Sequence, residues 1–239
     1  MATLEAHVRD VATVKATFDR TERYLGDNST IPVRARLVKD LTRSLSYDRY
    51  IDIGCGDGSI GLALLEGRRE LTLLDLSGSM IALARTNTPS AAADRVTYVV
   101  GDVNNFVPER PFDLLICMGV IAHVRSIREL LTTIGSFLDA RGYLVIQFTE
   151  SRSFFGRLIG RFANKAIGGY EMSQTSYDDL VQVLANLGFT PLKRVSYSDS
   201  SFGLGRLSHR GAVSFKLFTS WLRMPYVFSE SIVLFKRTV

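Results

Sequence analysis

The chain has 239 residues, 46% of them hydrophobic and 22% charged, with two cysteines and a formal net charge of +5. That length suits one large domain or one domain with a small elaboration, and the composition is that of an ordinary globular chain. It excludes a collagen, a disordered chain and a small disulfide scaffold. Cys55 and Cys117 are too few for a cysteine-rich metal site, so no metal is expected. No apolar run approaches the roughly 18 residues of a membrane-spanning helix. The first ten residues carry Glu5, Arg9 and Asp10 and have no apolar core of a signal peptide, so a cytoplasmic location is expected.

Charge is uneven along the chain. Residues 1–150 carry 17 Lys and Arg against 19 Asp and Glu, whereas residues 151–239 carry 12 against 5. The basic C-terminal third could meet an anionic substrate, a membrane surface or nucleic acid, or be ordinary solvated surface.

The predicted elements follow an alternating order. Residues 50–53 read as a strand that ends in a glycine turn, and Ile60, Ala63 and Leu64 then recur at helical spacing. Residues 71–74 form a second strand ending at Asp75, and residues 79–85 a helix. Strands follow at 96–100 and 112–117, a helix at 126–138, and a fifth strand at 144–148. Strands alternating with helices imply parallel βαβ units, and nearly all-apolar strands imply a sheet covered on both faces. The expected fold class is α/β, a doubly wound, Rossmann-like, mostly parallel sheet. After Glu150 a helix at 176–187 and strands at 189–197 and 229–237 follow. Residues 151–169 have no strand pattern, and 198–228 form a long connection rich in Ser, Gly, Arg and aromatics. A connection that long is more often functional than idle.

The sharpest motif is Asp52-Ile53-Gly54-Cys55-Gly56-Asp57-Gly58 at the carboxyl end of the first strand. Ligand sites of open α/β sheets lie there. The spacing is G-x-G-x-G rather than the dinucleotide G-x-G-x-x-G, because Ser59 occupies the third glycine position. An acid two residues before the first glycine suits a ligand with an ammonium group: Asp52 can hold the cation while the loop N–H groups meet a carboxylate. Asp75, at the end of the second strand, can accept both hydroxyls of a ribose. After the third strand, Asp102 can accept from an exocyclic amine while Val103 packs on a base. Any one of these acids could be a helix cap or a solvated loop residue. Together with the glycine loop they line one rim.

These residues resemble the class I S-adenosylmethionine-dependent methyltransferases, small-molecule type. The likeness rests on the glycine motif, on Asp75-Leu76-Ser77 with Met80, on Gly101-Asp102-Val103, on residues 118–124 and on the turn and strand at 138–146. It implies a seven-stranded sheet with an antiparallel last strand, and S-adenosyl-L-methionine as cofactor. It places Gly54 and Gly56 against the methionine part with Asp52 near its ammonium. Asp75 takes the ribose, Leu76 and Met80 flank the adenine, Asp102 and Val103 meet its edge, and Met118 approaches the methionyl amine. It also implies a single domain over 1–239, with an N-terminal helical cover at 1–44, a cofactor core at 45–150 and a substrate cap from 151–175 and 198–228.

Methyl transfer mainly requires alignment and exclusion of water, and a base only where the acceptor must lose a proton. His123, after the fourth strand, is the candidate base; the alternative is a histidine that packs at the start of the next helix. His209 could enter from a lid. Phe18 to Tyr24 resembles the leading helix that covers the cofactor, with Tyr24 closing over the methionyl end or simply packing. Phe155, Leu158, Ile159, Phe162 and Ala166 share a helical face opposite Arg157, Arg161 and Lys165. That helix reads as a lid over an apolar substrate, with peripheral membrane contact as the alternative. Phe202, Phe215, Phe218, Trp221, Tyr226 and Phe228 would wall an apolar pocket. The expected function is methylation, at oxygen, of a small hydrophobic metabolite. The rivals are a tRNA-modifying methyltransferase using the basic C-terminal third, for which no RNA-binding module is recognisable, and a non-catalytic cofactor-binding subunit. The oligomeric state is not legible.

Overall fold

A computed structural model describes residues 11–20, 29–154, 173–198, 208–222, 224 and 226–238. Seven strands build one sheet: β1 (Arg49–Ile53), β2 (Glu70–Asp75), β3 (Val96–Val100), β4 (Phe112–Cys117), β5 (Leu138–Thr149), β6 (Phe189–Tyr197) and β7 (Glu230–Arg237). Their order is β3-β2-β1-β4-β5-β7-β6. The first five pair in parallel, and β7 runs antiparallel to both β5 and β6. The expected doubly wound sheet is therefore present. The helices described are α1 (Val11–Phe18), α2 (Thr30–Thr42), α3 (Ser59–Leu62), α4 (Gly78–Asn87), α5 (Ile127–Ser136), α6 (Tyr177–Asn186) and α7 (His209–Trp221).

Successive residues of each strand point to opposite faces, and both faces are buried. On one, Tyr50, Leu73, Leu114, Ile116, Val145 and Ile232 pack with Val33, Leu37 and Val38 of α2 and Ala84 of α4. On the other, Ile51, Leu115, Ile146, Phe148 and Val233 pack with Leu130, Leu131 and Ile134 of α5 and Leu180 and Leu184 of α6. Burying a side chain of this size contributes about 1.5–3 kcal/mol. Serine side chains cap four of the described helices: Ser77 on α4, Ser126 on α5, Ser176 on α6 and Ser208 on α7 each accept from a backbone N–H of the first turn.

Three expectations need correction. The helix after the glycine turn is only a single turn, Ser59–Leu62, because Gly58 caps it in the left-handed region and β2 begins soon after. The strand expected from 144 begins at Leu138, which pairs with Phe112 ahead of a register shift, so the preceding helix stops at Ser136. Residues 198–228 are not simply a connection: α7 packs against β6 and α2, with Ala212, Lys216 and Thr219 buried. Among the described residues, no helix is long and apolar enough to cross a membrane.

Candidate active site at the carboxyl rim of the sheet

Strand order reverses between β1 and β4, so their carboxyl ends part to form the crevice where open α/β sheets bind ligands. Four loops border it: 54–58 after β1, 76–77 after β2, 101–103 after β3 and 118–123 after β4. The glycine loop turns sharply, with Gly54, Gly56 and Gly58 at φ of 65°, 55° and 79°. At Gly54 a second constraint applies, since an added Cβ would lie 2.4 Å from Val120 Cγ2. The β1 and β4 loops thus touch at a point where only a hydrogen atom fits.

The loop amides are already committed within the chain. Gly54 N and Cys55 N donate to Leu74 O at 2.8 and 3.1 Å, and Gly58 N donates to Cys55 O at 3.0 Å. Gly56 N donates to Asp75 Oδ2 at 2.8 Å. The expectation that these amides meet a ligand carboxylate is corrected: they hold the turn against β2.

Asp52 is 1% exposed and accepts Gly61 N at 2.9 Å. Burial pushes its carboxyl up to about 8, against the opposing effect of the Gly61 hydrogen bond. Tyr50 Oη donates to Gly61 O at 3.0 Å, so two β1 side chains clamp the turn of α3. Instead of lining the open rim beside an ammonium, Asp52 sits beneath the loop.

Asp75 lies at the rim itself. Its Oδ1 accepts Ser77 N at 2.8 Å and its Oδ2 accepts Gly56 N. Burial raises its pKa, and the Ser77 and Gly56 amides oppose the rise. A carboxylate has about four acceptor positions, so both oxygens retain capacity for hydroxyl donors. Beside it, a Cβ added at Gly101 would meet nothing within 4 Å among the described residues, which leaves space there at the end of β3. Asp102 Oδ1 accepts from Asn104 N and Asn104 Nδ2 at 2.9 and 3.0 Å, and Val103 is half-buried. A dihydroxylated ribose against Asp75 and a flat base beside Gly101 fit these residues.

The remaining predicted residues are distributed as follows. Leu76 is half-buried, whereas Met80 is 1% exposed and packed beneath the rim. Met118 is buried at the end of β4, ahead of Gly119 at φ 78°. His123 ends a 3₁₀ turn, and its ring meets Phe18 edge to face at 5.0 Å between centroids. His209 sits on the exposed first turn of α7. Tyr24, Phe202 and most of the basic helix expected at 153–166 lie outside the described residues. Of the leading helix expected over Phe18 to Tyr24, residues 21–24 lie outside the described residues; α1 (Val11–Phe18) ends just before them. Of the cap aromatics, Phe228 is buried and Phe215 half-buried, while Phe218, Trp221 and Tyr226 are exposed.

Sequence reasoning missed two groups of residues. Asp19 accepts the Ser77 hydroxyl at 2.6 Å, tying the end of α1 to the β2 loop. Arg34, Gln147, Tyr197 and Glu230 form a buried polar cluster beyond β4. The available signal was a Gln and a Glu in otherwise apolar strands, since a buried polar side chain requires partners.

The family profile described as "Methyltransferase domain" matches residues 45–174. The ubiquinone biosynthesis O-methyltransferase of Bordetella avium (strain 197N) is 23% identical over 133 residues, covering 54% of this chain and 55% of the relative. That of Xanthomonas euvesicatoria pv. vesicatoria is 29% identical over 118 residues, covering 48% of each. The chain thus matches about half the length of these curated relatives. Magnesium protoporphyrin IX methyltransferase from Synechocystis PCC 6803, solved with bound SAH, superposes with a TM-score of 0.68 at 17% identity. That match covers 95% of this chain and 100% of the other, and speaks to the fold. With the glycine turn, the rim carboxylate and the strand order in place, the chain belongs to the class I S-adenosylmethionine-dependent methyltransferases.

Proposed function

We propose that the chain methylates a small, apolar acceptor at oxygen. The observation that carries the methyl-transfer part of this reading is Asp75, whose two oxygens stand at the tip of β2 with the glycine turn on one side and, among the described residues, space at Gly101 on the other. Asp75 takes the ribose hydroxyls, and Asp102 and Val103 border the base. Gly54 and Gly56 shape the turn beneath the methionyl part, which leads toward Met118. Asp52 acts through the loop as a positioning residue.

When bound, the cofactor supplies a methyl group activated by a sulfonium, whose electron pair returns to sulfur as the new bond to the acceptor forms. A hydroxyl acceptor must then give up its proton. His123 stands at the rim, with its ring packed against Phe18, and receives that proton. Methylation at oxygen is further supported by the curated relatives, which are named O-methyltransferases.

The test is transfer of an isotopically labelled methyl group from S-adenosylmethionine to matched phenols and anilines, with the product atom assigned by mass spectrometry. Label on oxygen, with His123→Gln slowest at low pH and partly recovered at high pH, is expected. Label on nitrogen alone overturns the oxygen assignment. Unchanged turnover by His123→Gln across pH removes the histidine from the proton transfer.

A further inference from the structure

The end of the sheet that bears the candidate active site also bears an exposed apolar surface. Thr149 of β5 and Tyr197 of β6 both pair with Glu230 of β7 at this end. Ser198 N, just past β6, donates to Thr219 Oγ1 at 3.0 Å, so the last turn of α7 lies here too. Phe154 follows β5, and its N–H donates to Tyr226 O at 2.7 Å. Leu222 N donates to Phe218 O at 3.3 Å and Val227 N to Met224 O at 3.1 Å, which turns the chain from α7 toward β7. Phe154, Phe218, Trp221, Leu222, Met224 and Tyr226 are all exposed. Single exposed apolar side chains are ordinary, but a group of them marks an interaction surface.

On α7 the usual polarity is reversed. Lys216 and Thr219 are buried, with Lys216 Nζ donating to Thr30 Oγ1 at 2.6 Å. Phe218, 53% exposed, and Trp221, 75% exposed, lie outside instead and stack with 6.2 Å between ring centroids. Neither ring completes the core, so the stabilisation that its burial gives is left for a partner.

Charge selects that partner. Residues 200–229 contain four Lys and Arg and no Asp or Glu. Arg210, Ser214 and Phe218 follow at four-residue spacing along the exposed face of α7. Beside Phe154, Arg152 is balanced by Asp178. A second copy of the chain fits poorly, because a two-fold interface sets the same patch against itself and would bring basic residues together with no acid between them. An anionic bilayer supplies both complements, apolar chains for the rings and negative headgroups for the arginines, and a tryptophan ring is at home at that boundary. We infer that this surface docks on an anionic phospholipid membrane, with Phe218 and Trp221 entering its interface. Docking there holds the crevice end of the sheet beside the bilayer. The docking goes beyond the methyl-transfer reading and does not depend on it.

Trp221 is the single tryptophan of the chain, so its fluorescence reports this surface alone. The test titrates the full-length chain with vesicles of phosphatidylcholine and with vesicles of equal parts phosphatidylcholine and phosphatidylglycerol. Binding to the mixed vesicles is expected to be at least about tenfold tighter, the worth of a few basic residues near a charged surface. Trp221 emission should shift to the blue and be quenched by brominated acyl chains. Phe218→Ser combined with Leu222→Ser keeps Trp221 and should weaken binding about tenfold or more. Because both side chains are exposed, the melting temperature should not change. Absence of binding, equal binding to both vesicles, Trp221 emission unmoved on bound vesicles, or full binding by the double variant would each overturn the inference. A dimer that forms without lipid and dissolves in the double variant would assign the surface to a second copy instead.

Discussion

Phe18, at the end of α1, packs edge to face on His123 beyond β4, and its neighbour Asp19 takes the Ser77 hydroxyl beyond β2. Adjacent residues thus reach opposite sides of the crevice, with the glycine turn between them. Lys15 and Ser77 hold the Asp19 carboxyl below its ordinary range. No residue of α1 is itself buried, so little apolar burial holds the helix in place. Phe18→Ala combined with Asp19→Ala is expected to speed cofactor release about tenfold or more, with overall stability nearly unchanged. Stopped-flow displacement of a fluorescent cofactor analogue checks this; an unchanged off-rate would show that α1 does not retain the ligand.

Asp75→Ala removes a carboxylate that the Gly56 and Ser77 amides aim at the rim. Hydrogen bonds to a charged group contribute about 1.5–3 kcal/mol each, so affinity for S-adenosylmethionine should fall at least about 100-fold. Calorimetry measures the loss, and retained affinity would refute the ribose assignment.

The Asp52 carboxyl gives stability a pH dependence with a definite sign. Its folded-state pKa, about 8, lies above its ordinary 3.8. Between these values the unfolded chain has released the proton and the folded chain still holds it. Stability is therefore full below about pH 4 and is progressively lost as pH rises toward 8. The raised pKa of Asp75 acts in the same direction. Asp52→Asn keeps an oxygen for Gly61 N without titrating. It should raise the melting temperature by several degrees at pH 8, gain little at pH 5, and flatten part of the slope. Scanning fluorimetry at both pH values reads the difference, and equal shifts at both would contradict a titrating Asp52.

Gly54→Ala introduces a clash with Val120 and a side chain at positive φ. A cost of about 2 kcal/mol follows, which lowers the melting temperature by about 4–8 °C in a chain of this size. Val120→Gly in the same chain should recover only part of the loss, because it relieves the contact and leaves the backbone strain. Full recovery would mean that the contact alone requires glycine.

The sheet was legible because its strands are short apolar runs bounded by Gly, Pro and Asp, and burial on both faces leaves little freedom in such runs. Asp75 was legible for the same reason, as an acid closing an apolar strand at a ligand-binding rim. Helix α7 was not, because its apolar residues are interrupted by Gly211, Lys216 and Ser220, and it is held by packing against α2 and β6 rather than by a clear face of its own. Asp52 and Asp75 appeared equivalent as acids at strand ends. Register separates them, burying Asp52 under Gly61 and leaving Asp75 at the rim.

The sequence by itself determined the succession of strands, the glycine turn and the family, since these depend on local periodicity and on residue types a few positions apart. Only the tertiary structure decided that Phe18 meets His123, that the loop amides are spent on Leu74 and Asp75, and that Arg34, Gln147 and Glu230 share one polar cluster. Those contacts join residues far apart in the chain, and only the packing of α1 and α2 over the sheet brings them within hydrogen-bonding or van der Waals distance.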